Sequence, residues 1–369
     1  MEKITLQKPS SCKSAKFKII FTGGGTGGHV YPNVALFDEF ARRGFDLAYV
    51  GAKGDVLEKK LATQRSVRYY GVQTIKLVRS LGPSATKNNL MIPLTLSRAV
   101  KECADILKNE KPDCVFSKGG FVSLPVVLAA KKLRIPVVAH ESDLTLGLAN
   151  KIAKAKGATI LKANPHSTFD GIFTGLPLRE ELFEADKTKA QKTLGTTNPR
   201  NKKVLLVLGG SSGARAINEA VRENLKELTN RYIVVHVTGK DKQNEKMRAD
   251  DYYCVEYAHD VENYYALSDV VLSRAGATAV FEISALKKRA VFVPLPKGVS
   301  RGDQIFNADL AKEYGATVLT QDDDFSSKLV PAIEGAEKNP PMKRIAIDAN
   351  GKIADVVCDI VGACKNKKP

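Results

Sequence analysis

The stretch FTGGGTGGHVYP, residues 21–32, decides the fold of this chain. A strand-like apolar run, Phe17 to Phe21, leads into five glycines within six residues. An amphipathic run typical of a helix follows and is clearest from Val34 to Arg43. A strand, a glycine-rich turn and a helix form the usual setting for phosphate at a helix N-terminus. The stretch therefore predicts a phosphate site at the start of an α/β domain.

A histidine, His29, stands at the mouth of this predicted helix. A lone histidine more often has a packing role than a chemical one. The partial positive charge of a helix N-terminus, however, favours the neutral imidazole, which can accept a proton as a general base must. Packing and proton transfer both remain open for this residue from the pattern alone.

The same pattern restarts later in the chain, in KKVLLVLGGSSGARAIN at residues 202–218. Apolar strand-like runs alternate with helical runs around both openings, which predicts parallel sheets covered by helices on both faces. We therefore expect two doubly wound domains with the ligand between them, at the carboxyl ends of the strands. The expected organisation is a disordered lead-in at 1–15, domains at 16–175 and 176–350, and a C-terminal helix and tail at 351–369 that packs back on the first domain.

Composition narrows the class of protein. The chain has 369 residues, of which 43% are apolar, and its formal net charge is +17. Such a charge attracts nucleic acid, anionic lipid or phosphorylated substrates, but the basic residues are dispersed and no aromatic-basic RNA signature accompanies them. Six cysteines without a CxxC pair indicate reduced thiols in a cytoplasmic protein and no metal site. No apolar run is long enough to span a membrane, and the polar N-terminus does not resemble a secretory signal.

Three further segments place polar groups at predicted strand ends. LGGSSGARAIN, at 208–218, offers Ser211 and backbone N–H groups to an anion. SRAGATAVFE, at 273–282, places Glu282 one helical turn after Thr278; the acid fits either two ribose hydroxyls or a capping box, about equally. AHESD, at 139–143, ends an apolar strand with polar groups that project into a ligand crevice.

These segments together carry a family resemblance. GGTGGHVYP, GGFVSLP, HESD…GLANK, TGLPLRE, LGGSSGARAIN, SRAGATAVFE and DQIFNA occur in this order between about Lys16 and Val361. The chain resembles the N-acetylglucosamine transferases of glycosyltransferase family 28. The resemblance implies a GT-B fold, with two Rossmann-like doubly wound parallel-sheet domains facing across a cleft. It also implies an inverting enzyme that moves N-acetylglucosamine from UDP-N-acetylglucosamine to the muramoyl 4-hydroxyl of undecaprenyl-pyrophosphoryl-N-acetylmuramoyl pentapeptide (lipid I), giving lipid II in peptidoglycan synthesis.

The resemblance also implies roles for individual residues. His29 matches the general base, and Glu141 falls in a catalytic strand-end motif. Glu282 would bind the ribose hydroxyls, the main chain of Ala258 would contact uracil, and Gln304 would contact the transferred sugar. No cofactor or metal is implied, because helix dipoles and an arginine can hold the diphosphate. The residues assigned to the donor are Thr26, Gly27, Gly28, Asp143, Arg179, Ser211, Asn218, Ala258, Ala277, Thr278, Ala279, Val280, Phe281, Glu282 and Gln304.

Some positions depart from the family pattern. Asp143 stands where an asparagine is common, so an amide donor is replaced by an acid that can repel phosphate. Phe121 stands where a tyrosine is common, and Ser212 replaces a glutamine. No essential role is assigned to Asp143 or Phe121 on this basis.

The segment at 75–92 predicts contact with a membrane surface. It mixes basic residues with apolar ones, as suits an anionic bilayer. An ordinary loop explains it equally well. The resemblance implies a peripheral protein at the cytoplasmic face of the bacterial cell membrane, whose partners are the two substrates and an anionic membrane surface, not nucleic acid. The predicted membrane contacts are Leu77, Leu81, Leu90, Met91 and Ile92.

Three other functions remain open from the residues. A related GT-B transferase could act on a different lipid or on a natural product. The glycines at 23, 25 and 28 satisfy the G-x-G-x-x-G spacing of a dinucleotide site, and Lys53, where an NAD enzyme has an acid, would suit an NADP-dependent reductase. A basic nucleic-acid-binding protein is disfavoured by two glycine loops directed at one crevice.

Overall fold

The computed structural model describes residues 17–74, 92–195, 201–210, 213–242, 249–298, 302–346 and 348–365. The chain divides into two compact units, Met1–Pro177 with Asp348–Pro369, and Leu178–Ile347.

The described residues form alternating strands and helices. The strands are β1 (Lys18–Thr22), β2 (Asp46–Ala52), β3 (Arg68–Val72), β4 (Cys114–Ser117), β5 (Val137–Glu141), β6 (Thr159–Lys162), β7 (Ile172–Phe173), β8 (Lys203–Leu208), β9 (Tyr232–Val237), β10 (Tyr252–Val255), β11 (Val270–Arg274), β12 (Arg289–Val293) and β13 (Thr317–Val318). The α-helices are α1 (Gly27–Arg42), α2 (Leu57–Gln64), α3 (Ile92–Glu110), α4 (Ser123–Lys132), α5 (Leu148–Ala155), α6 (Lys187–Leu194), α7 (Arg215–Glu223), α8 (Leu225–Arg231), α9 (Val261–Leu267), α10 (Ala277–Ala285), α11 (Asp303–Glu313), α12 (Phe325–Lys338) and α13 (Ala349–Lys365).

The first unit contains a parallel sheet of seven described strands in the order β3-β2-β1-β4-β5-β6-β7. Because a parallel sheet is covered on both faces, its strands are almost uninterrupted apolar runs, as in KIIFT of β1. The strand order reverses between β1 and β4, and ligands bind at such a switch point, beyond the carboxyl ends of the strands. The loops that follow β1 and β4 are therefore the ones placed to form a site.

The C-terminal helix α13 belongs to the first unit and packs on α1. Its apolar face shares a buried core with Phe37 and Phe40 of α1. Arg43, just after α1, joins the two helices: its Nη1 lies 2.6 Å from a carboxylate oxygen of Asp355, and its Nη2 donates to the Gly351 carbonyl over 3.2 Å. The C-terminal segment thus completes the core of the unit in which the chain begins.

The second unit contains a parallel sheet of six described strands in the order β10-β9-β8-β11-β12-β13. Its order reverses between β8 and β11, so the described residues that follow these two strands, at 209–210, 213–214 and 275–276, correspond to the loops after β1 and β4 in the first unit. Apolar residues of β8, β11, α7 and α12 form its main core. The prediction of two Rossmann-like parallel-sheet domains is confirmed.

Helix α1 starts earlier than the sequence pattern indicates. It begins at Gly27, seven residues before Val34, and Thr26 precedes it in an extended conformation. Glycine has low helix propensity, so periodicity alone places the start after the glycines. In the folded chain, packing of α1 on the sheet stabilises this first turn. The glycines and His29 consequently form the beginning of the helix.

Candidate functional site

The first glycine loop is held by buried side chains of α1 and β2. The Asn33 amide donates to the Thr22 carbonyl over 3.2 Å and to the Tyr49 hydroxyl over 3.0 Å. That hydroxyl in turn donates to the Gly23 carbonyl over 2.8 Å. Neither Asn33 nor Tyr49 is predicted by the sequence motifs, although a polar residue on the apolar face of a helix, such as Asn33, is a usable signal. This network sets the main chain of the loop immediately before the start of α1.

His29 is the third residue of α1, and it lies against the loop that follows β4. A Cβ at Gly120 would come within 2.9 Å of the His29 ring and 2.8 Å of the Gly24 carbonyl oxygen. Gly120 also has a φ of +80°, where glycine is favoured. Glycine at this position therefore allows the imidazole and both loops to lie close together.

The first turn of α1 presents unpaired N–H groups in the way an anion site requires. The His29 N–H bonds to the Thr26 carbonyl over 3.0 Å, whereas the N–H groups of Gly27 and Gly28 stand before any intrahelical acceptor. Gly28 is exposed, and no acidic residue lies in this turn. The geometry suits phosphate next to the imidazole.

Glu141 lies at the carboxyl end of β5, but its carboxylate is already occupied. One oxygen accepts the main-chain N–H groups of Ser142 and Asp143, over 2.9 and 3.2 Å. The other accepts the Gly147 N–H over 2.9 Å and the Asn150 amide over 3.0 Å. A buried carboxylate with four donors is poorly suited to taking a proton from substrate. This geometry favours a positioning role for Glu141 over the catalytic role predicted from sequence.

A buried lysine, Lys118, lies directly after β4 and was missed by sequence analysis. It is 2% exposed, and its Nζ donates to the Ser142 hydroxyl over 2.6 Å. Burial lowers the pKa of Lys118, and the carboxylates of Glu141 and Asp143 oppose that shift. His140 is also buried and bonds through Nε2 to the Gly175 carbonyl, 2.9 Å away. Burial, and then the charge of Lys118, hold the pKa of His140 well below its ordinary value.

In the second unit, the start of α10 is open to a ligand. Gly276 is the N-cap residue and Thr278 is already the second residue of the helix, so the capping-box interpretation of Thr278 and Glu282 is wrong. Ala277, Thr278 and Ala279 are half-buried and form the first turn. Their N–H groups have no intrahelical acceptor, as at any helix start.

Two residues of the predicted donor set face the interior instead. Val280 and Phe281 are 0% and 3% exposed. The Val280 N–H bonds to the Gly276 carbonyl over 3.0 Å, and helical geometry pairs the Phe281 N–H with the carbonyl four residues earlier. The prediction that these two residues contact the ligand is therefore corrected. The predicted donor set takes every residue from 277 to 282, although only the first turn of α10 is accessible.

Glu282 and Arg179 are distant in sequence but share one environment in the second unit. The Tyr265 hydroxyl donates to the Glu282 carboxylate over 3.3 Å. Burial raises the pKa of Glu282 to about 7; the charge of Arg179 and the Tyr265 hydrogen bond oppose this shift. Arg179 also forms an ion pair with Glu262, 3.3 Å apart. A buried carboxylate near an arginine beside a helix N-terminus can bind neutral hydroxyls and an anion together.

Asn218 is not available to a ligand as predicted. It is 1% exposed, and its amide nitrogen donates to the Thr238 carbonyl over 2.9 Å. Its amide oxygen lies 3.0 Å from His236 Nε2. Helical spacing predicts that Ser211 and Asn218 share one face of a helix. The helix α7 starts only at Arg215, however, and Asn218 points toward the sheet. Ser211 itself lies outside the described residues.

Gln304 and Ala258 lie at the same edge of the second sheet as the start of α10. Gln304 is the second residue of α11, and its side-chain oxygen accepts the Leu295 N–H over 3.1 Å. Asn307, one turn later, donates to the Ala275 carbonyl over 3.2 Å and so joins α11 to the loop before α10. Ala258 is half-buried in the loop after β10. The carboxyl ends of parallel strands lie at one edge of a sheet, so these positions share the ligand-binding edge of the second sheet.

The predicted membrane segment is mostly beyond what the structure describes. Leu77, Leu81, Leu90 and Met91 lie outside the described residues, and Ile92 begins α3 without a described side chain. Within the described ranges, no helix has the length and apolarity needed to cross a bilayer. Within the same ranges, no cluster of histidine, cysteine and acidic residues has the arrangement of a metal site.

Comparison with known proteins identifies close relatives along the chain. The glycosyltransferase family 28 N-terminal domain matches residues 19–161, and the C-terminal domain of the same family matches residues 204–356. A Clostridium perfringens protein named UDP-N-acetylglucosamine--N-acetylmuramyl-(pentapeptide) pyrophosphoryl-undecaprenol N-acetylglucosamine transferase is 41% identical over 332 residues, or 88% of this chain and 91% of that protein. The Clostridium tetani protein of the same name is 37% identical over 321 residues, or 85% and 88% of the two chains.

Solved structures share the fold. The crystal structure of Acinetobacter baumannii MurG has a TM-score of 0.68 at 22% identity and covers 94% of this chain and 99% of its own. The UDP-GlcNAc 2-epimerase from Neisseria meningitidis, bound to UDP-GlcNAc, has a TM-score of 0.65 at 14% identity and covers 93% and 100%. The family matches span both glycine loops and contradict the alternative of an NADP-dependent reductase. The chain therefore belongs to glycosyltransferase family 28, the family that the sequence motifs predict.

Proposed function

We propose that this chain is an inverting glycosyltransferase that moves N-acetylglucosamine from UDP-N-acetylglucosamine to the muramoyl 4-hydroxyl of lipid I, giving lipid II in peptidoglycan synthesis. The proposal rests on the polar groups at and near the start of α10, in a chain that belongs to this family. Three N–H groups stand there for a diphosphate, and Glu282 and Arg179 share one environment for a ribose and its phosphates.

The donor binds to the second unit in this proposal. The N–H groups of Ala277, Thr278 and Ala279 hold the diphosphate, and the charge of Arg179 adds to the field of the helix. The Glu282 carboxylate accepts hydrogen bonds from the ribose hydroxyls. The main chain of Ala258 contacts uracil. Because the side-chain oxygen of Gln304 is bonded to Leu295, the amide NH₂ of Gln304 is the group that contacts the transferred sugar.

The acceptor binds to the first unit. The N–H groups of Gly27 and Gly28, next to the exposed Thr26, were assigned to the donor from the sequence; in this proposal they also face the acceptor pyrophosphate. The His29 imidazole takes the proton of the muramoyl 4-hydroxyl as that oxygen attacks the anomeric carbon. The bond from this carbon to the UDP oxygen breaks, and its electron pair leaves with UDP. Attack from the opposite face turns the α-linked donor into a β-linked product.

The protein acts at the cytoplasmic face of the bacterial cell membrane as a peripheral protein. The formal charge of +17 favours an anionic bilayer surface. Leu94, which follows the predicted membrane segment by two residues in the sequence, is 48% exposed near the start of α3. The proposed partners are the anionic membrane surface and the two substrates. Nucleic acid is not among them.

A transfer assay tests the proposal. Purified protein meets radiolabelled UDP-N-acetylglucosamine and a short-chain lipid I analogue, with UDP-glucose and UDP-galactose in parallel. We expect transfer from UDP-N-acetylglucosamine alone, and only to the analogue. Transfer to another lipid, or none alongside measurable UDP binding, would retain the family and overturn the assigned acceptor.

A further inference from the structure

We propose that Arg274 positions the side chain of Gln304 for the donor sugar. It acts through one peptide group, whose carbonyl belongs to Pro294 and whose N–H belongs to Leu295. The inference rests on the proposed function and deepens it, because Gln304 is the residue assigned there to the transferred sugar. Arg274 is a positioning residue, since it acts through this peptide group and not on the reacting atoms.

Arg274 is the last residue of β11 and stands two residues before Gly276, the N-cap of α10. In the register of the parallel pair it lies beside Val293, the last residue of β12. Its Nη1 donates to the carbonyls of Val293 and Pro294, over 3.1 and 3.3 Å, and its Nη2 donates to the side-chain oxygen of Gln321 over 2.9 Å. The guanidinium group thus joins the carboxyl ends of β11 and β12 to the segment that follows β13.

The acceptors of these three hydrogen bonds are all neutral, so the bonds fix the geometry of the guanidinium group and do not neutralise its charge. Burial lowers the pKa of Arg274, and no carboxylate among the described residues opposes that shift. Arginine presents its donors in a rigid plane, whereas lysine is a point charge on a flexible stem. The planar group, more than its charge, is therefore what this position uses.

The peptide group after Pro294 connects Arg274 to Gln304. The Pro294 carbonyl and the Leu295 N–H belong to one planar unit. Arg274 donates to its oxygen, and the side-chain oxygen of Gln304 accepts its N–H over 3.1 Å. A donor at the carbonyl polarises the peptide group and strengthens the bond that its N–H donates. Because this bond uses the oxygen of the Gln304 amide, the NH₂ is the group that can donate to an oxygen of the sugar.

The backbone around Gln304 is held separately. Asn307, one turn later in α11, is 2% exposed and donates to the Ala275 carbonyl over 3.2 Å. Loss of the Arg274 side chain should therefore leave α11 in place and release the orientation of the Gln304 amide. The N–H groups at the start of α10 belong to the helix itself and do not require Arg274. The sugar contact should consequently weaken while the diphosphate site is kept.

Calorimetric titration with UDP and with UDP-N-acetylglucosamine, without acceptor, tests this role. Arg274→Met, Arg274→Lys, Gln304→Met and the double methionine variant are compared with the parent. We expect each single variant to bind UDP-N-acetylglucosamine about three-fold or more weakly, and UDP within about two-fold of the parent, since one hydrogen bond to the sugar is lost. The double variant should lose no more than the larger single loss, because both changes remove the same contact. Arg289→Lys is the matched control: Arg289 lies at the opposite end of β12 and donates to the Asn339 carbonyl over 2.9 Å, so neither affinity should change.

Several results would overturn the role of Arg274. Equal weakening of UDP and UDP-N-acetylglucosamine would mean that Arg274 acts through its charge or the fold of the site. Additive losses in the double variant would make Arg274 and Gln304 independent, and an unchanged Gln304→Met would remove the sugar contact itself. If Arg274→Met does not fold, the cycle is run with Arg274→Lys, and parental affinities in that variant would refute the need for a planar group. If the parent binds both nucleotides but transfers nothing to the lipid I analogue, the proposed acceptor fails, whereas the binding cycle still decides the role of Arg274.

Discussion

Glu282→Gln should change the stability of the second unit and its proposed binding of UDP in opposite directions. Burial raises the pKa of Glu282 to about 7, from an ordinary value of 4.5. Between these two values the unfolded chain has lost its proton and the folded chain keeps it. The folded state is therefore destabilised as pH rises through this window, and the loss levels off above pH 7. At about 1.36 kcal/mol per pKa unit, the ionised carboxylate costs about 3 kcal/mol.

Glutamine keeps an acceptor for the Tyr265 hydroxyl but cannot ionise. As pH rises from 4.5 to 8.5, the parent should therefore lose about 3 kcal/mol of unfolding free energy that the variant keeps. UDP should bind it more weakly, by about ten-fold or more, because hydrogen bonds from ribose to a carboxylate become bonds to a neutral amide. Equilibrium urea unfolding followed by circular dichroism measures the first effect, and calorimetric titration with UDP measures the second.

Glu227→Gln is the matched control for this experiment. Glu227 is an exposed acid on α8 of the same unit, and its removal should alter stability by less than about 0.5 kcal/mol at either pH. Identical pH profiles for Glu282→Gln and the parent would refute the argument that burial disfavours the ionised carboxylate. Unchanged UDP affinity would instead remove Glu282 from the ribose site.

Three further predictions concern the first unit and the membrane. His29→Ala should lower kcat by roughly 10² to 10⁴ with little change in UDP binding, measured by transfer kinetics and titration; near-normal kcat would leave only a packing role. Asn33→Leu should reduce the unfolding free energy by about 1–3 kcal/mol, because the buried Tyr49 hydroxyl loses its donor and the Thr22 carbonyl keeps only the Lys118 N–H; urea unfolding tests this, and an unchanged midpoint contradicts it. Vesicle sedimentation should show stronger binding to anionic than to neutral vesicles, and stronger still at low ionic strength; equal binding to both would rule out the electrostatic attraction.

The features that the sequence predicts correctly are those that depend on neighbours along the chain. The glycine turn after β1 and the second opening after β8 follow from local patterns of apolar and glycine residues. The assignment of individual side chains to the donor was less reliable. Asn218 and Val280 lie in the correct segments, yet both face the interior. A motif identifies a segment, whereas the helix start and its rotation decide which side chains remain accessible.

The sequence by itself determined two parallel-sheet domains, the loops at their ligand-binding edges and the family. These depend on periodicity and on glycine positions, which a linear pattern contains. Only the tertiary structure decided that four donors occupy Glu141, that Arg179 shares the environment of Glu282, and that Lys118 is buried against the turn containing Asp143. The last two depend on groups from elements far apart along the chain, and the first depends on how the turn after β5 folds back on Glu141. The energy of a buried charge is set by what surrounds it in space, and the order of residues does not specify those surroundings until the sheet has formed.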